Sequence, residues 1–239
     1  MDSKIEQLQK MVDMSSRIVF FGGAGVSTES GIPDFRSVDG LYQQHYKYPP
    51  EIMLSHSFYE SHTAEFFDFY REKMLYLKAE PNEAHRKLVE LEKAGKLAAV
   101  VTQNIDGLHQ KAGSHAVFEL HGSVHRNYCR HCHKLFDAQF MLNSTGIPKC
   151  ECGGTIKPDV VLYEEGLNQQ TLQGAVEAIE RADMLMIGGT SLAVYPAASL
   201  VNYYNGNRLV LINRIGTPQD KNADLMIHGN IGEVLGQLH

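Results

Sequence analysis

Arg17-Ile18-Val19-Phe20-Phe21, running directly into Gly22-Gly23-Ala24-Gly25-Val26-Ser27-Thr28-Glu29-Ser30-Gly31, is the stretch on which the fold turns. A short apolar run that stops at glycines reads as a strand buried on both faces, which is the habit of parallel sheets. Runs of the same kind recur at 97–102, 117–120, 160–163, 184–188 and 209–212. Helical periodicity fills the intervals at 85–94, 171–181 and 197–204, and Ile5, Leu8, Met11 and Val12 place a further stripe on 3–14. Strands alternating with helices predict an α/β fold, a Rossmann-like parallel sheet with helices on both faces. Five strand tips are polar or glycine-rich, and in open parallel sheets the ligand crevice lies outside the carboxyl ends of the strands. The expectation is one composite site that holds a nucleotide.

Two stretches break the rhythm. Residues 34–81 carry aromatic helical segments (Phe58, Tyr59, Phe66, Phe67, Phe69, Tyr70), and 123–155 hold all four cysteines. The chain is therefore divided into a Rossmann-like unit of 1–33, 82–122 and 156–239 and a small helical and metal-binding unit of 34–81 and 123–155, with a cleft between them. Its 239 residues suffice for two cores, and 22 Lys and Arg against 28 Asp and Glu argue against nucleic acid as the main partner. No apolar run reaches the roughly 18 residues of a membrane span, and Met1-Asp2-Ser3-Lys4 lacks a signal-sequence pattern, so the expected location is the cytoplasm.

Cys129-x-x-Cys132 and Cys150-x-Cys152 are separated by 17 residues, close to the spacing of four-thiolate zinc sites. Clustering in a cytosolic chain favours metal over disulfides. Four cysteine ligands leave no open position, which makes the zinc structural; His131 and His133 are dispensable alternatives.

At the first tip, Gly23, Ala24 and Gly25 would let a pyrophosphate approach the backbone at a helix N-terminus. The third fingerprint glycine is replaced by Thr28, and no acidic strand end follows about 20 residues on, where a ribose is usually held. The loop alone reads equally as a plain turn. Asn213, after 209–212, can replace the missing acid or simply end a strand, and Gly189-Thr190-Ser191 offers amides and hydroxyls or a mere helix cap. Thr102-Gln103-Asn104-Ile105-Asp106-Gly107 projects amides and a carboxylate from another tip. His121, at the end of 117–120, is the histidine best placed to act as a general base. Arg36 can reach phosphate or pair at the surface, and Phe35 can wall the reacting face or simply pack.

Taken together, Gly23-Ala24-Gly25-Val26-Ser27, Gly31-Ile32-Pro33-Asp34-Phe35-Arg36, Pro81-Asn82-Glu83-Ala84-His85, Thr102 to His109, His121-Gly122, the four cysteines, Lys157-Pro158-Asp159-Val160-Val161, Gly189-Thr190-Ser191-Leu192 and Ile212-Asn213 make the chain resemble a bacterial sirtuin. The match runs through nearly the whole sequence. The resemblance implies an NAD-dependent protein deacylase in which the acyl oxygen attacks the anomeric carbon of the nicotinamide ribose, nicotinamide leaves, and the acyl group ends on ADP-ribose. NAD is then a consumed co-substrate, zinc is structural, and the partners are acyl-lysine proteins or peptides. It further implies His121 as base, Asn104 positioning ribose and water, Asp106 with Ile105 holding the carboxamide, and Gln103 on the same ribose. Phe35 and Arg36 would shield or orient the reacting end. Phosphates would fall to Gly23, Ala24, Thr28, Thr190 and Ser191, and the adenosine ribose to Asn213. The peptide would pair with Val160-Val161 and the segment 189–194. Alternative readings are a mono-ADP-ribosyltransferase and a non-catalytic NAD or ADP-ribose sensor.

The chain departs from the family pattern at two places. Tyr163-Glu164-Glu165 stands where Phe-Gly-Glu is frequent. The Tyr and Arg, three apart, that accept acidic acyl groups are matched by Phe67 and Tyr70, or brought to Arg71 by a one-residue shift. Acetyl or apolar acyl groups are expected, because a buried carboxylate without a cation is poorly compensated.

Overall fold

A computed structural model describes residues 2–35, 40–41, 46–217 and 219–239. Six parallel strands form the main sheet: β1 (Ile18–Gly22), β2 (Leu97–Thr102), β3 (Val117–Glu119), β7 (Met184–Gly188), β8 (Leu209–Asn213) and β9 (Leu225–His228), in the order β3-β2-β1-β7-β8-β9. β1 lies between β2 and β7 and is buried along its whole length, as its uninterrupted apolar run requires. Successive side chains divide between the faces. Ile18 and Phe20 join Leu8, Leu88 and Leu235 from α1 (Asp2–Asp13), α5 (Glu83–Lys93) and α9 (Ile231–Leu235), while Val19 and Phe21 join Ala175 and Ile179 of α8 (Gln169–Glu180). Two separate apolar layers thus clamp the sheet.

A second, three-stranded sheet, β5-β4-β6, is built from β4 (Gly122–Cys129), β5 (Leu135–Phe136) and β6 (Ile156–Val160), all antiparallel. Against it pack α2 (Pro50–Met53), α3 (His56–Ser61) and α4 (Thr63–Lys73), and one cluster combines Phe58, Tyr59, Phe66, Phe67, Phe69 and Tyr70 with Val124, Ile156 and Val160. Tyr59 meets Phe66 edge to face at 5.1 Å and 80°, a favoured arrangement of aromatic quadrupoles. The remaining helices are α6 (Leu108–Ala112) and α7 (Ala138–Asn143).

Three local expectations change. The strand expected at 160–163 is β6, four residues earlier, and it belongs to the small sheet; beyond it Tyr163 pairs with 54–56, donating to the Leu54 carbonyl and accepting from His56, each at 3.0 Å. The helix expected at 197–204 is the 3-10 segment Ala197–Tyr203. No α-helix follows the glycine loop directly; two 3-10 turns, Ala24–Val26 and Thr28–Ser30, take its place. β9 and α9 are elements that the sequence reading did not reach.

Candidate active site

The tips of the parallel strands and the edge of the small sheet enclose a cleft of about 520 Å3. Gly23, Ala24, Gly25, Thr28, Phe35, Gln103, Asn104, Ile105, Asp106, His121, Gly189, Thr190, Ser191 and Asn213 all line it, so residues far apart in sequence do converge. Arg36 lies outside the described residues.

The glycines of the first tip answer to packing between two loops. Gly25 donates to the Gly189 carbonyl at 2.8 Å, and a Cβ on Gly25 would sit 2.8 Å from the Gly189 Cα. Gly23 has no more room, since its Cβ would meet the Thr190 Cβ at 2.7 Å. The turns also engage the amides of Val26 and Ser27, bonded to the carbonyls of Gly23 and Ala24. Behind the loop, Asn82 caps α5 by accepting from the Ala84 amide, and its Nδ2 donates to the Val26 carbonyl at 2.8 Å and Ser30 Oγ at 3.0 Å. One capping residue therefore anchors the loop to the core.

Ser27 joins this loop to the β2 tip. Its hydroxyl donates to Asp106 Oδ2 at 2.6 Å and accepts from Asn104 Nδ2 at 3.1 Å. Asp106 Oδ1 accepts from the Leu108 amide at 2.9 Å, which starts α6. Burial pushes the Asp106 carboxyl above its ordinary range, and the bonds from Ser27 and Leu108 oppose that shift. Sequence reading missed Ser27, although it stands inside the quoted loop, because its partners lie 77 and 79 residues away.

His121 is fixed by the neighbouring strand tip. Its Nδ1 lies 3.0 Å from the Gln103 carbonyl, which can only accept, so the ring carries its proton there and Nε2 keeps a lone pair. Desolvation lowers the His121 pKa below 6.5, against the opposing pull of that carbonyl. The imidazole is neutral and oriented, with the Nε2 lone pair left as an acceptor. Gln103 itself donates from Nε2 to Thr190 Oγ1 at 3.0 Å. Thr190 in turn donates its amide to Asn213 Oδ1 at 2.9 Å. Asn213 is 5 % exposed, and its Nδ2 has no partner among the described residues. Such a donor matches a ribose hydroxyl or another ligand oxygen.

Apolar side chains make the opposite wall: Phe35, Leu41, Leu54, Met74, Ile105, Val160 and Leu162. Phe67 and Tyr70 are fully buried in the aromatic cluster and are not among the lining residues. Arg71 is directed elsewhere, donating to Asp68 Oδ1 at 2.7 Å and Ser144 Oγ at 3.2 Å. A cation that the sequence reading did not reach, Lys73, does line the cleft, already paired with Glu72 Oε1 at 2.9 Å. Only the packing of α4 reveals it.

The Sγ atoms of Cys129, Cys132, Cys150 and Cys152 lie within 4.8 Å of one another, with 3.5 Å from Cys129 to Cys152 and 3.6 Å from Cys132 to Cys150. A tetrahedron with zinc–sulfur bonds of about 2.3 Å has edges of about 3.8 Å, so the four thiols fit zinc. The amides of His131 and Cys132 point at Cys129 Sγ from 3.4 and 3.5 Å, a cradle that favours thiolate. Gly154 keeps this nest open, since a Cβ there would stand 2.6 Å from Cys129 Sγ. Zinc bound here would close the small sheet and would have no site for substrate.

Comparison with known proteins agrees with this arrangement. The profile described as the Sir2 family matches residues 23–196. A Clostridium acetobutylicum protein named NAD-dependent protein deacetylase is 60% identical over 236 residues, covering 97% of this chain and 96% of its own. A solved structure of a Sir2 enzyme superposes with a TM-score of 0.89 at 41% identity, over 99% of this chain and 96% of that one. Another, of a Sir2 protein with a p53 peptide and NAD+, gives a TM-score of 0.86 at 38% identity, over 97% and 95%.

Proposed function

The chain belongs to the Sir2 family, and from that premise we propose that it removes acetyl and other apolar acyl groups from protein lysines, consuming NAD and yielding nicotinamide and O-acyl-ADP-ribose. The observation that carries the reading is His121: a partly buried, neutral imidazole with its tautomer chosen by the Gln103 carbonyl, on a cleft shared with Asn104 and Asp106. In this reading NAD lies along the strand tips. Gly23, Ala24, Gly25, Thr28, Gly189, Thr190 and Ser191 surround its phosphates, Asn213 Nδ2 takes the adenosine ribose, and Asp106 with Ile105 takes the carboxamide. Gln103 and Asn104 hold the nicotinamide ribose, Phe35 and Arg36 close the reacting end, and His121 Nε2 accepts the ribose hydroxyl proton once nicotinamide has left.

The acyl-lysine peptide enters against the apolar wall and pairs with Val160-Val161 and with 189–194, so part of its affinity comes from backbone bonds that read no side chain. We divide the chain into 1–33, 82–122 and 156–239 for the nucleotide and 34–81 and 123–155 for the small zinc-binding unit, with β6 linking the two. Zinc on the four cysteines has a structural role. No helix among the described residues is long and apolar enough to cross a membrane, and four free thiols in one nest suit a reducing cytoplasm. The acidic balance argues against nucleic acid as the main partner.

The test is incubation with an acetyl-lysine peptide, with and without NAD, following peptide mass and free nicotinamide together. Equal loss of acetyl and gain of nicotinamide, only with NAD, is expected. Nicotinamide release from NAD with the acetyl peptide left intact would replace this reading with ADP-ribosyl transfer or NAD hydrolysis. A succinyl peptide should fall at least about tenfold in kcat/KM, since its carboxylate meets a largely apolar wall on which Lys73 is already paired with Glu72.

A further inference from the structure

Glu164 combines three properties at the peptide side of the cleft. Its φ is +76°, left-handed backbone that a side-chain-bearing residue adopts only against strain. Its carboxylate offsets that strain at the start of α3, where Oε2 accepts from the Ser57 amide at 2.9 Å and from Ser57 Oγ at 2.6 Å. The residue is exposed and lines the cleft beside Val160, Val161 and Tyr163. The bonds from Ser57 hold its carboxyl below the usual range, so it is ionised at neutral pH.

Glu165 makes the contrast. Its Oε1 faces His56 Nδ1 at 2.9 Å, and its Oε2 accepts from the Leu162 amide at 2.9 Å and from Lys157 Nζ at 3.3 Å. That charge is consumed inside the fold. No lysine or arginine among the described residues pairs with Glu164, and the turn cannot swing away because Tyr163 is tied to Leu54 and His56 by backbone bonds. A clamp on α3 would need only an acceptor; here the acceptor also carries a fixed negative charge at the cleft wall.

We propose that Glu164 is a specificity-determining contact, a preset anion that favours acyl-lysine substrates with lysine or arginine beside the modified residue. This rests on the deacylase reading for the identity of the substrate. A held carboxylate acts on a charged partner without first losing side-chain entropy, and its influence weakens with salt.

The experiment compares two acetyl-lysine peptides identical except for flanking arginines in one and glutamates in the other, using the full protein and Glu164→Gln. Gln still offers an oxygen to Ser57, so the turn keeps its clamp while the charge is removed. The native protein should prefer the basic peptide by about tenfold in kcat/KM at low salt, carried mainly by KM, since each exposed pair is worth up to about fivefold. The preference should shrink in 0.5 M salt, as screening requires, and approach unity in Glu164→Gln. An equal preference in the native protein and in Glu164→Gln would overturn the proposal. Fluorescence anisotropy with the same peptides reads the contact without turnover: a Glu164-dependent binding preference in a protein that deacylates neither peptide would reject the deacylase reading and uphold the contact.

Discussion

At His121 a backbone carbonyl decides the chemistry available to a side chain. The Gln103 carbonyl accepts a hydrogen bond from Nδ1–H, and desolvation keeps the ring neutral, so Nε2 is left as the acceptor. Replacing His121 with alanine should lower kcat by about 10²- to 10⁴-fold, the usual span of a general base, while NAD binding measured by calorimetry stays nearly constant. The acid limb of kcat/KM should carry the same signature. Desolvation favours the uncharged imidazole, so protonation occurs below 6.5 and Nε2 of His121 should stay able to accept a proton to lower pH than a free histidine would allow. A midpoint above 6.5 would assign the limb to another group. That His121, Asn104 and Asp106 meet on one cleft was legible because each follows a strand tip. Ser27 and Lys73 were not, since a hydroxyl that bridges 79 residues and a lysine on an otherwise core-facing helix leave no local signal.

Between elements, the site depends on how closely backbones approach. Gly122, directly after His121, has φ +76°, and a Cβ there would overlap the Asp159 carbonyl across the β4–β6 pairing. The same pairing holds His121, whose carbonyl accepts from the Val161 amide at 3.0 Å. Gly122→Ala should therefore destabilise the protein by on the order of 3 kcal/mol, combining left-handed strain with overpacking. Thermal unfolding would register this, and turnover should fall further than stability alone accounts for, because His121 is displaced. A variant as stable and active as the native chain would show that β6 shifts freely. Sequence marked β1, β2, β7 and β8 well, because strands buried on both faces are nearly pure apolar runs. It misplaced β6, where Lys157-Pro158-Asp159 interrupts the run and only pairing with β4 makes it a strand.

The two sheets keep separate cores. Apolar layers on either face of the parallel sheet are distinct from the aromatic cluster that holds α2 to α4 against β4 and β6. Removing zinc from the four cysteines should release the ends of β4 and β6 and abolish deacylation, while most of the circular dichroism of the parallel-sheet unit survives. Full activity in metal-free protein would reject the structural role, and complete loss of secondary structure would reject the independence of the cores. Composition and periodicity by themselves determined an α/β chain with a parallel sheet, a four-thiol nest and polar strand tips, because these are written in consecutive residues. Tertiary structure alone decided which loop backs which. It packed Gly25 against Gly189, joined Ser27 to Asn104 and Asp106, buried Phe67 and Tyr70, turned Arg71 away, and left Lys73 and Glu164 on the cleft. Those outcomes depend on steric fit and on hydrogen bonds between segments distant in sequence, which no local pattern of residues encodes.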